Sequence, residues 1–139
     1  INTFTGFLKP DPEITLTIPS ATDKAISVGA YDTSTDKVAS FSGRGFTREN
    51  NQIKPDIVAP GVNIRSAATG GGTTVLSGTS MATPIVSGVI CMILGINKEM
   101  SNIQCKKLIR NTAIDLKMEG NRQGWGKINP EKMVNFCKK

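Results

Sequence analysis

Short apolar runs in the first half of the chain and longer helical runs in the second predict an α/β layered domain. The first observation is a series of strand-like runs between residues 25 and 76, punctuated by Gly, Pro and Asn. The second is a change of character after residue 79, where helix start signals precede each apolar stretch. The third is a shortage: few strands, and a single run apolar nearly all round, so the 139 residues read as part of a larger sheet.

Each element has its own warrant. Residues 1–19 are irregular, because Pro10, Pro12 and Pro19 break any long element. Residues 25–31 (AISVGAY) read as a strand, with Gly29 at a close backbone approach. Residues 38–41 form a second short strand, and the polar, Gly- and Asn-containing stretch 42–54 reads as a loop. Residues 56–59 (DIVA) form a buried strand ended by Pro60-Gly61. Residues 63–67 and 74–76 flank Gly70-Gly71-Gly72 and predict two strands joined by a flexible turn. Residues 80–94 are apolar on nearly every side, the signature of a buried helix. Residues 102–111 predict a surface helix, opened by a capping box of Ser101 and Gln104. Asn129 caps a last helix through Cys137, with Pro130 in its first turn, where no backbone donor is needed.

Composition narrows the function. The hydrophobic share is 38%, and there are no histidines, so this chain alone holds neither a histidine base nor a histidine metal ligand. The +6 charge is uneven: residues 1–97 hold seven basic and seven acidic side chains, residues 98–139 ten and four. Scattered basic residues with one Trp and one Tyr fit solvated helix faces better than a nucleic-acid surface. Cys91, Cys105 and Cys137 are odd in number and widely spaced, which argues against a disulfide framework or a zinc site. Their usage fits a reducing, intracellular compartment, or one indifferent to redox, better than secretion. The longest apolar run, 85–96, is too short to span a bilayer, and no signal-peptide pattern is present. A first residue of Ile1 rather than Met predicts a truncated or processed product.

The chemistry concentrates in Gly78-Thr79-Ser80-Met81-Ala82-Thr83-Pro84. A serine at a helix start sits among unpaired backbone N–H groups at the positive end of the dipole. Those groups stabilise a negative charge developing beside Ser80, which is what the oxyanion of acyl transfer requires. Gly78 admits a substrate backbone, Thr79 adds a second hydroxyl, and Met81 fills core beside the serine. The bland alternative is that Ser and Thr merely cap a buried helix.

The same string resembles the nucleophile motif of subtilisin-like serine proteases. Four further matches follow in the family's order. Ala25-Ile26-Ser27-Val28-Gly29-Ala30 resembles its I-x-V-G-A strand, and Phe41-Ser42-Gly43-Arg44-Gly45 its F-S-x-x-G turn. Lys54-Pro55-Asp56-Ile57-Val58-Ala59-Pro60-Gly61 resembles its K-P-D-x-x-A-P-G segment, and Gly124-Trp125-Gly126-Lys127-Ile128-Asn129 its glycine-rich stretch before the closing helix. Within the family, residues 10–19 and 43–48 are most similar to the clostridial spore-germination (Csp-type) proteases, which process the zymogen of a cortex-degrading hydrolase.

The resemblance implies the C-terminal part of one subtilisin-like three-layer α/β domain, with a mostly parallel sheet and a buried nucleophile helix. It implies Ser80 as nucleophile, supported by Gly78, Thr79 and Met81. The family's Asp, His and oxyanion Asn would lie upstream; Asn2 stands in no family-like context and reads as a loop residue. Thr17, Pro19 and Ser20 would border the pocket for the side chain before the scissile bond. Ile85 departs from the His that many relatives carry after the motif proline, which alters packing beside the helix and not the triad. No cofactor is implied; calcium occurs in the family, but no calcium ligand is assignable here, and no metal site is read. The implied partners are a polypeptide substrate, the N-terminal part of the same protein and a prodomain, with no nucleic acid and no membrane. The 139 residues alone would be inactive and prone to self-association. The competing readings are a pseudoprotease that uses the fold for binding, an unrelated α/β domain, and a nucleic-acid module resting on the basic C-terminal third.

Overall fold

The computed structural model describes residues 10–138. Ile1, Asn2 and the first half of the opening segment lie outside the described residues.

A three-stranded sheet forms the centre. Strand β1 (Val28–Asp32) pairs in parallel with a later strand, Ile57–Pro60, in the register Val28↔Ile57 through Tyr31↔Pro60. On its other edge β1 pairs antiparallel with the two-residue β2 (Lys37–Val38). A small hairpin, β3 (Gly45–Phe46) with β4 (Ile53–Lys54), follows. Residues 42–54, expected to be a loop, thus contain this hairpin. Two-residue strands carry too little alternation to be read from sequence. Then comes β5 (Ile57–Pro60), whose Ile57, Val58 and Ala59 are fully buried. A continuous apolar run is what a strand covered on both faces requires. Strands β6 (Ile64–Ala67) and β7 (Thr73–Leu76) form the hairpin expected around Gly70-Gly71-Gly72.

Helix α1 (Thr79–Ile96) packs on β1 and β5. Its buried residues, Ala82, Val86, Val89 and Ile93, recur at three- and four-residue steps and make one stripe. The opposite face, with Ser80, Pro84, Ser87 and Cys91, is exposed. The helix expected to be buried all round is therefore covered on one side by the described residues. Residues 79–84 lengthen the apolar run, so that by length and composition alone α1 could cross a bilayer. Its packing against the sheet makes it the core helix of the domain.

Helix α2 (Asn102–Thr112) opens with the expected capping box: Gln104 N donates to Ser101 Oγ at 3.3 Å, and Ser101 N donates to Gln104 Oε1 at 2.7 Å. The four-residue α3 (Gly120–Gln123) was not legible in the sequence. Helix α4 (Pro130–Cys137) is capped by Asn129, whose Oδ1 accepts from Lys132 N at 3.1 Å.

The segment between α3 and α4 runs alongside β5. Val58 N donates to Gly126 O and Ile128 N donates to Val58 O, both at 2.9 Å, in a parallel bridge. Gly124 makes this approach possible. Its φ is 61°, and a Cβ there would lie 2.1 Å from the Pro55 carbonyl oxygen. Only glycine fits, which explains the glycine-rich stretch physically. Likewise residues 10–19 and 43–48 lie side by side. Thr15 N donates to Arg44 O at 2.9 Å, Arg44 pairs with Glu13 at 3.4 Å, and a Cβ on Gly45 would meet the Glu13 carbonyl at 2.5 Å.

Candidate active site

The nucleophile candidate lies beyond the carboxyl ends of the parallel pair. In open α/β sheets that edge is where ligands bind, because the helix N-termini converge there. Pro60 ends β5, and Gly61 continues the chain outward, its N–H donating to Tyr31 O at 3.0 Å. The Gly61 carbonyl then accepts from Gly78 N at 2.8 Å. Asn63 N donates to Ser77 Oγ at 2.9 Å, which fastens the same turn a second time. The A-P-G and G-T-S strings, seventeen positions apart, are thus bound together just before α1 begins.

Gly61 allows that contact. A Cβ there would sit 2.5 Å from Ala30 Cβ and 3.0 Å from the Gly78 carbonyl oxygen. Gly61→Ala is therefore expected to destabilise the fold by about 1–3 kcal/mol through overpacking. A drop in urea midpoint at unchanged slope would show it. An unshifted midpoint would mean that the turn before α1 yields freely.

Ser80 is the second residue of α1 and is exposed. Gly78 is the N-cap residue, and no side chain caps the helix. Neither Ser80 nor Thr79 caps the helix: both sit inside the first turn, and no side chain covers its N-terminal N–H groups. Met81 N bonds to Gly78 O at 3.1 Å, and Thr83 Oγ1 donates to Thr79 O at 2.9 Å. The first turn carries no acidic residue to oppose a new negative charge. Backbone donors at such a helix start can stabilise a negative charge that develops beside a hydroxyl. The chain has no histidine to take its proton.

The other predicted residues gather elsewhere. Thr17 O accepts from Ser20 N at 2.8 Å and also from the Ser20 hydroxyl, and Pro19 O accepts from Thr22 N at 3.1 Å. This tight turn borders a cavity of about 700 Å³, lined on one side by Ile14, Leu16, Thr17 and Ile18 and on the other by Phe46 and Arg48. Thr17 lines the cavity; Pro19 and Ser20 shape the turn behind it. Among the described residues no hydrogen bond joins this turn to residues 78–81. No group of three or more His, Cys, Asp or Glu side chains suited to a metal occurs among the described residues.

The sequence reading missed a buried charge cluster. Lys54 and Asp56 are almost fully buried, and Lys54 Nζ donates to Asp56 Oδ2 at 2.8 Å. Lys106, from α2, lies 3.6 Å from Asp56 Oδ1. The only sequence signal was two opposite charges around Pro55 beside a wholly apolar strand. Nothing local pointed to Lys106.

Comparison with known proteins is consistent along the chain. A family model described as the subtilase family matches residues 9–126. The serine protease AprX of Bacillus subtilis (strain 168) is 38% identical over 146 aligned residues, covering 90% of this chain and 33% of AprX. The M-protease of Shouchella clausii (strain KSM-K16) is 39% identical over 116 residues, covering 84% of this chain and 28% of that protein. Among solved structures, the Clostridium perfringens CspB protease superposes with a TM-score of 0.84 at 33% identity, covering 96% of this chain and 31% of CspB. The self-cleaved protease domain of PatA gives 0.69 at 33% identity, over 87% of this chain and 44% of that domain. The chain thus spans about a third of the length of AprX and of CspB.

Proposed function

The chain belongs to the subtilase family, and from that membership we propose that Ser80 is the nucleophile of a serine endopeptidase whose catalytic domain these residues complete at its C-terminal side. The observation that carries this is the exposed Ser80 in the uncapped first turn of α1, held at the carboxyl edge of the sheet by the Gly61–Gly78 bond. Ser80 attacks the scissile carbonyl while a His outside these 139 residues takes its proton and an Asp orients that His. The Ser80 backbone N–H, with an Asn from the same outside segment, holds the oxyanion. The acyl-enzyme is then released by water.

The substrate is a polypeptide. Thr17, on the cavity wall, with Pro19 and Ser20 behind it, borders the pocket for the side chain preceding the scissile bond. Residues 10–19 and 43–48, together with the similarity to CspB, support a spore setting and the zymogen of a cortex-degrading hydrolase as the physiological target.

The rest of the parent protein covers the exposed face of α1. Met92 (53% exposed) and Ile96 (43%) towards the end of α1, with Val75 (45%) and Leu76 (50%) on β7, add apolar surface that is also open. Apolar surface left open in this way drives association. The isolated 139-residue chain is expected to elute as a dimer or larger species in size-exclusion chromatography and to hydrolyse no peptide. A monodisperse monomer would count against this assignment of the face.

The test of function uses the parent protein and a fluorophosphonate probe, with a Ser80→Ala version alongside. Labelling lost in Ser80→Ala supports the protease. A folded, fully processed parent that takes no label is a pseudoprotease, and its partners rather than its substrates become the question.

A further inference from the structure

We propose that Lys54 and Lys106 are positioning residues, which clamp the turn at residues 22–25 onto Asp56 and so set the shape of the cavity lined by Thr17. This rests on the substrate-pocket role proposed for Thr17.

Three main-chain anchor points within residues 22–25 make the clamp. Lys54 Nζ donates to Thr22 O at 3.1 Å. Lys106 Nζ donates to Asp23 O at 2.7 Å and to Ala25 O at 2.9 Å. Both ammonium groups converge on Asp56, Lys54 at 2.8 Å and Lys106 at 3.6 Å. Asp56 is itself held by Ser27 N, at 2.8 Å from Oδ2, and Ser27 Oγ accepts from Asp56 N at 3.2 Å. One carboxylate and three main-chain carbonyls thus surround two fixed positive charges. Charge-assisted hydrogen bonds are about twice as strong as neutral ones, so a turn without secondary structure gains a rigid anchor.

Two of the three anchored residues, Thr22 and Asp23, line the same cavity as Thr17, Ile14 and Phe46, and Lys24, between the anchors at Asp23 and Ala25, lines it too. The turn from Thr17 to Thr22 has its own internal bonds, and its far end is what the two lysines hold. Lys54 belongs to β4 and Lys106 to α2, so the cavity wall is tied to the hairpin and to the helical layer together. Burial pushes the Lys106 ammonium below the ordinary lysine value, and Asp56 opposes that shift. An ammonium kept in this place against its desolvation cost is there for its contacts.

Lys106 is the better residue to alter, because its side chain is 19% exposed and Lys54 remains on Asp56 when it is removed. The experiment compares the parent protein with Lys106→Met and Lys106→Arg. It measures amide hydrogen exchange at residues 22–26, kcat and KM on a fluorogenic peptide panel varied at the residue before the scissile bond, and fluorophosphonate labelling. Lys106→Met is expected to speed exchange at 22–26 and raise KM, each about tenfold, as loss of a charged hydrogen bond implies. The kcat and labelling rate should stay within about twofold, since Ser80 is held by other contacts. Lys106→Arg should restore both properties. Unchanged exchange in Lys106→Met overturns the clamp. Faster exchange with unchanged KM overturns the link to the pocket. A joint fall of kcat and labelling that arginine does not rescue means a general structural role and overturns the proposal too. Absence of labelling in the unaltered parent overturns the protease reading and the pocket link with it, while the exchange result still decides the clamp.

Discussion

Replacing Ser80 by alanine in the parent protein is expected to lower peptide turnover by about 10⁶-fold, the loss found when the nucleophile of subtilisin, a member of this family, is removed. On the proposed role, the substitution takes away the attacking atom and leaves the fold alone. Ser80 is exposed, and α1 is held by its opposite stripe, so stability should hardly change. The residual rate should remain about 10³–10⁴ above water, because backbone donors at the helix start still stabilise the oxyanion. Single-turnover assays and probe labelling, read together with the urea midpoint, separate these effects. A variant that loses activity only because it unfolds would show a lowered midpoint. A variant that keeps most of its turnover would remove Ser80 from the mechanism.

The second large effect is on stability. Asp56→Ala is expected to cost about 3–5 kcal/mol, because it strands a buried positive charge without its partner. Lys54 is 1% exposed and Asp56 5%, so water cannot replace the lost carboxylate. Lys106 suffers less, since its side chain can turn outward. The measurement is the urea midpoint of the parent in a Ser80→Ala background, which prevents self-digestion. Replacing both members of the buried pair, Lys54→Met with Asp56→Leu, should recover much of the loss, since no uncompensated pair remains. A cost below about 1 kcal/mol for Asp56→Ala would place the cluster with ordinary surface pairs.

Legibility of the fold varied with the range of the interaction that decides each element. The capping box at Ser101 and Gln104 and the Asn129-Pro130 start are local signals, and both stand where they were expected. Val58 and its neighbours form a strand because an apolar run bounded by Pro60-Gly61 has few other uses. Strand β1 begins at Val28 rather than at residue 25, because Ala25 gives its carbonyl to Lys106 instead of to a neighbouring strand. The β3–β4 hairpin depends on pairing Gly45 with Lys54 across an intervening loop, and no local pattern announces that. Helix α1 was legible as apolar all round, but which face is covered depends on what packs against it.

The sequence by itself determined the family, the nucleophile candidate and most element positions. These rest on side-chain chemistry at fixed short spacing: a serine opening an apolar helix, glycines beside charges and prolines, caps before helical runs. The tertiary structure alone decided how the pieces meet. It joined Gly61 to Gly78 in front of Ser80, ran Gly124–Ile128 along β5, and placed Thr17 on a cavity whose wall Lys54 and Lys106 hold. Lys106 stands fifty positions from Asp56 and more than eighty from the carbonyls that it binds. A charge buried by distant neighbours leaves no periodicity in the chain, because its partners are chosen by packing and not by spacing.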